Sequence, residues 1–119
     1  MSAENSLRPL ARAGKASLMF SHVVIFWTKP EIPEAADRMI VGAERYLKPI
    51  PEIVFFHVGK MVGSPRPVVE QSYQVALNVV FPSREAREAY RAHPWHKQFE
   101  EEVLKPNYQR CLVYDFESL

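Results

Sequence analysis

Two stretches of this chain are apolar on both of their alternating faces, and that property limits the folds open to it. Residues His22 to Trp27 (HVVIFW) run without a charged side chain except the titratable His22. Side chains along a strand alternate in direction. His22, Val24 and Phe26 therefore occupy one face, and Val23, Ile25 and Trp27 the other. Near the end of the chain, Cys111 to Phe116 (CLVYDF) repeats the pattern, with Cys111 and Val113 on one face and Leu112, Tyr114 and Phe116 on the other. A sheet holding these strands needs cover on both sides.

The intervening residues supply one cover. Pro33, with acidic Glu34 and Asp37, opens a helix carrying Ala36, Met39, Ile40, Ala43 and Leu47 at helical spacing, which Pro49 and Pro51 end. Ile53 to Met61 reads as a second strand, Gly63 to Pro67 as loop, and Ser72 to Phe81 as a cleanly alternating third strand. Ser83 is an N-cap residue for a second helix carrying Ala86, Ala89 and Tyr90. His93-Pro94 breaks that helix before it resumes from Trp95 to Val103, and Lys105-Pro106-Asn107 closes it.

The order β-α-β-β-α-β predicts an α+β, ferredoxin-like domain: a four-stranded antiparallel sheet with both helices on one side. At 119 residues the chain holds one such domain, assigned to residues 21–119 after an N-terminal extension of residues 1–20. Two helices cover one sheet face, and soluble monomers rarely bare an apolar patch beyond a few hundred Å². A second copy packed sheet to sheet is the economical cover, so we expect a homodimer with a shared barrel-like core.

Charge excludes other partners. Lys plus Arg number 15 against 14 for Asp plus Glu, which leaves no broad basic field for nucleic acid or anionic lipid. No apolar stretch approaches the roughly 20 residues of a membrane span. Cys111 is the single cysteine and reads as a small core residue in a reducing, cytoplasmic compartment. Residues 1–18 carry Arg8, Arg12 and Lys15 against Glu4 without an apolar secretory segment, and Met19 is a second candidate start that would make them dispensable. Arg84, Arg87, Arg91 and Lys97 alternate with Glu85 and Glu88 as on a solvated helical face without an anion site, and Trp27 and Trp95 read as core packing. Phosphate-binding glycine loops, CxxC pairs, GxSxG elbows and dinucleotide fingerprints do not occur.

The opening HVVIFW, the glycine of HVGK, the segment SYQVALNVVFPSREAREAYRAHPWH and the closing VYDF resemble the stress-responsive A/B barrel (Dabb) family. The resemblance spans about His22 to Phe116 and is sharpest at Tyr90 to His96, YRAHPWH. It implies a dimeric α/β barrel. Many members are known only as stress-associated proteins, while a plant member closes a linear polyketide thioester by aldol condensation. By position, His22, Tyr90 and His96 match three pocket residues of that cyclase, in which the residue at His96 is the general base, that at Tyr90 positions substrate and that at His22 polarises or orients it. A further pocket histidine of the cyclase falls at Val75 here, which removes a polar handle.

Three functions are compatible with these residues. In the first, a mostly apolar cavity lined by Val24, Phe26, Val75, Leu77 and His93 binds a small apolar ligand. In the second, His96 is general base, with Tyr90 and His22, for a cyclisation or isomerisation of a β-keto substrate without cofactor or metal; an imidazole titrating near neutrality suits that step. In the third, the interior is filled and the protein is purely structural, with His93 serving the helix break and His96 one buried hydrogen bond. His93, His96 and Glu100 together would be the residues of a metal site, but Pro94 separates the histidines and we assign none. His57 reads as a core or interface histidine facing away from Phe56 and Val58.

Overall fold

The most apolar strand takes the most paired position. In the computed structural model, which describes residues 19–119, β1 (Phe20–Thr28) lies between β3 (Val75–Phe81) and β4 (Tyr108–Glu117), with β2 (Phe55–Lys60) on the far side of β3. The sheet has four strands in the order β2-β3-β1-β4, and every neighbouring pair is antiparallel. The ferredoxin-like arrangement is thus present. The basic segment of residues 1–18, expected to be a dispensable extension, lies outside the described residues.

Alternation along β1 is preserved in burial: Phe20, His22, Val24 and Phe26 are buried and the residues between them are half-buried. The inner face, with Val75, Leu77, Val79 and Phe81, packs against Met39 and Ala43 of α1 (Ala35–Tyr46), Tyr90 of α2 (Arg84–Ala92) and Phe99 of α3 (Pro94–Phe99). Ser83 caps α2, its hydroxyl accepting the Ala86 N–H at 3.1 Å. His93 then adopts extended backbone, as expected before proline. Its Nδ1 accepts the Trp95 N–H at 3.0 Å, which caps α3.

Beyond Phe99 the helix widens into a π-helical turn, Glu100–Leu104, before a last turn at Lys105–Asn107. The wide turn presses Val103 onto α1. A Cβ built on Gly42 would lie 2.5 Å from Val103 Cγ1, so the close approach requires glycine there. Buried Asn107 holds the helix end, its Nδ2 donating to the Val103 carbonyl at 2.7 Å.

β4 starts at Tyr108, earlier than the apolar run from Cys111 indicates. The added residues Gln109 and Arg110 are exposed, so hydrophobicity does not report them, and Arg110 lies over the Trp27 ring at 4.1 Å. Trp27 accordingly sits on the outer face rather than in the core, and Trp95 is 42% exposed against His93. The outer face of the sheet is bare in the single chain: Leu112, Tyr114 and Phe116 are 37%, 55% and 61% exposed. His57 points to this same side, away from Phe56 and Val58, and is exposed. Among the described residues no helix is long and apolar enough to cross a membrane.

Candidate functional site

Strand register brings the first polar pair together. His22 and Asp115 are direct cross-strand partners on the inner face of β1 and β4. His22 Nδ1 lies 2.6 Å from Asp115 Oδ1. A carboxylate accepts hydrogen bonds, so this contact places an imidazole hydrogen on Nδ1, and in the neutral ring the lone pair is then on Nε2. Arg87 donates from Nη1 to the second carboxylate oxygen, Asp115 Oδ2, at 2.9 Å. It also bonds Glu88 through Nε and Nη2, and its guanidinium lies over Phe20. Arg87 is therefore not on the solvated helix face where its alternation with glutamates placed it; its side chain is 16% exposed.

Tyr90 joins this pair to the second histidine. Its ring is 4.8 Å edge-on from His96, 6.2 Å from His22 and 4.9 Å from Phe81. The residue is fully buried, and burial pushes its phenol up, so the hydroxyl stays protonated at neutral pH. The helix break at His93-Pro94 turns His96 inward beneath Tyr90. Burial holds the His96 imidazole below its ordinary range, although the Glu100 carboxylate opposes the shift. His96 Nδ1 is buried with no hydrogen-bond partner, since Glu100 Oε1 at 3.6 Å is too distant for one.

These groups surround a cavity of about 320 Å³ between the sheet and the second helical segment. Its apolar wall comes from Val24, Phe26, Leu77, Phe99 and Leu104, and Arg91, Glu100 and Cys111 also reach it. Of the residues singled out in the sequence, His22, Val24, Phe26, Leu77, Tyr90 and His96 line it together. Val75 and His93 do not. Val75 is fully buried in the core beside Phe26, and the His93 ring is occupied in capping α3 and stacking on Trp95. Among the described residues no three His, Cys, Asp or Glu side chains converge as a metal ion requires.

Sequence reasoning missed Asp115, Arg87 and Arg91. The alternation of CLVYDF puts Asp115 on the face of Cys111 and Val113, but its opposition to His22 depends on a register that alternation does not set. Arg87 and Arg91, four residues apart, share the helix face of Tyr90, which is the signal that places them at the cavity.

The family described as Stress responsive A/B Barrel Domain matches residues 20–118 of the chain. A Dabb family protein with a ferredoxin-like fold from Mesorhizobium loti is 23% identical, superposes with a TM-score of 0.70, and the match covers 86% of this chain and 98% of that one. A dimeric ferredoxin-like protein of unknown function from Thermobifida fusca is 18% identical, with a TM-score of 0.70 and coverage of 85% and 92%. A hydroxynitrile lyase from Passiflora edulis is 17% identical, with a TM-score of 0.71 and coverage of 85% and 94%. No curated protein matches the chain. With the sheet order and the family match over nearly all its described residues, the chain belongs to the stress-responsive A/B barrel family.

Proposed function

We propose that this protein is a homodimeric barrel that binds a small molecule with an apolar body and a polar head in the cavity of each subunit. The observation that carries this reading is the chamber itself, where Tyr90 and His96 meet beside an apolar wall of Val24, Phe26 and Leu77. A polar head beside His96 and Tyr90 finds hydrogen-bonding groups, while the hydrocarbon part gains from burial against Val24, Phe26 and Leu77. A purely structural protein gains nothing from an open chamber of about 320 Å³. The dimer is supported by the bare outer face and by the dimeric neighbour from Thermobifida fusca.

The test of binding is a titration with 2-heptanone and hexanal, followed by ¹H–¹⁵N NMR. Shifts centred on Tyr90, His96 and Leu77 are expected, and Leu104→Trp, which fills the chamber from a half-buried position, should abolish them. Shifts scattered over the surface, or unchanged in the filled variant, would reject the binding site. For the assembly, sedimentation should give twice the monomer mass at micromolar concentration and the monomer mass for Phe116→Asp.

A second reading, proton-transfer catalysis, is favoured by the His22–Asp115 contact. An imidazole braced at Nδ1 by a carboxylate is a stronger base at Nε2, because the carboxylate stabilises the imidazolium that forms. His22 then removes a proton from the carbon beside a carbonyl, and the Tyr90 hydroxyl and neutral His96 hydrogen-bond the developing oxygen anion. This exchanges the roles that the family resemblance implies for His22 and His96. The same fold carries a lyase in Passiflora edulis. Turnover of β-keto thioesters should fall further in His22→Ala than in His96→Ala; the reverse order would return the base to His96.

A further inference from the structure

The cavity mouth holds one cation whose charge is not met. Arg87 is engaged by Asp115 and Glu88. Of the two carboxylates that reach the cavity, Asp115 faces Arg87 and His22, and Glu100 stands 3.6 Å from the His96 ring, which burial keeps neutral. Arg91, one helical turn beyond Arg87, lines the same cavity, is exposed, and makes no ion pair among the described residues. Lysine or arginine side chains on a free helix surface point to nothing. This one stands at the polar end of an apolar chamber, where a planar guanidinium suits bidentate contact with a carboxylate.

We infer that the ligand carries a carboxylate, held at the mouth by Arg91, with its hydrocarbon part along Val24, Phe26 and Leu77. The inference rests on the binding reading above and adds a charge to the ligand. Glu100 opposes the incoming anion, and its side chain is 45% exposed, so it can turn toward water as the anion enters. Arg91 is then a specificity-determining residue that selects the acid over the matching alcohol or aldehyde.

The experiment is calorimetric titration of the full chain at pH 7.5 with hexanoate, hexanol and acetate. Hexanoate should bind about tenfold or more tightly than hexanol, as a charge-assisted hydrogen bond provides. Arg91→Gln should erase that preference by lowering hexanoate affinity to that of hexanol, Arg91→Lys should keep part of it, and Glu100→Gln should increase it. Equal affinities for hexanoate and hexanol, or a preference that survives Arg91→Gln, would overturn the carboxylate while leaving the cavity reading intact. Acetate binding as tightly as hexanoate would show an anion site indifferent to hydrocarbon and overturn it as well. Failure of both six-carbon probes to bind would remove the cavity reading and this inference together.

Discussion

Replacing Asp115 by Asn preserves shape while changing hydrogen-bond polarity at the centre of the site. The carboxylate now accepts from two donors, His22 Nδ1 at 2.6 Å and Arg87 Nη1 at 2.9 Å. An amide offers one oxygen and one N–H₂, so one donor is left facing another donor. Hydrogen bonds to charged groups contribute roughly 1.5–3 kcal/mol, and a buried donor stripped of its partner costs roughly 1–3 kcal/mol. The Asp115 side chain is 33% exposed, so solvent screens part of this, while His22 and Arg87 at 11% and 16% reach little water. Arg87 also retains Glu88. The net loss is about 1–2 kcal/mol, which for a domain of this size lowers the unfolding midpoint by roughly 5–10 °C. Thermal unfolding by circular dichroism reads the loss, and ¹⁵N shifts of the His22 ring read whether Nδ1 still carries the hydrogen. A double-mutant cycle with Arg87→Ala should return a coupling of about 1 kcal/mol. If Asp115→Asn unfolds at the wild-type temperature with an unchanged His22 ring, the bracing of His22 by Asp115 is wrong, and the case for His22 as base goes with it.

Three further outcomes follow from the geometry. Gly42→Ala gains about 1 kcal/mol of helix propensity but drives a methyl into Val103, an overpacking that costs roughly 1–3 kcal/mol, so denaturant unfolding should show a net loss that Val103→Ala relieves. Because burial lowers the His96 pKa in the folded chain, the unfolded chain binds more protons between that value and the ordinary value near 6.5. Stability should therefore decline as pH falls below about 6.5, and His96→Gln should flatten this limb; the lowered carboxylates Glu70, Glu102 and Glu117 act in a separate window at and below 4.5. Ser83→Ala removes the α2 cap and should cost about 1 kcal/mol in chemical unfolding, whereas an equal midpoint would mean that water replaces the hydroxyl.

The element order was readable because each signal is local. HVVIFW and Ser72 to Phe81 alternate with the strand period, Ser83 caps, and Pro94 breaks the helix where it stands. The early start of β4 was not readable, since Gln109 and Arg110 lie on an exposed edge and carry no apolar signature. The histidines and tyrosine were found through the resemblance of YRAHPWH and its partners to a family, and the structure brings all three to one chamber. Val75 and His93 were misplaced for different reasons. Val75 pairs with Phe26 but is fully buried by its neighbours and does not reach the chamber, and His93 is consumed by the cap that its own helix break creates.

Local chemistry thus determined by itself the strand-and-helix order, the two-sided greasiness of β1 and the residue types available for proton exchange. The tertiary structure alone decided which of them meet. Opposition of His22 to Asp115 is a matter of interstrand register, and the turn of Arg87 and Arg91 toward the sheet is a matter of how α2 docks. Both depend on side chains far apart in the chain being packed at ångström tolerance, which neither period nor composition encodes.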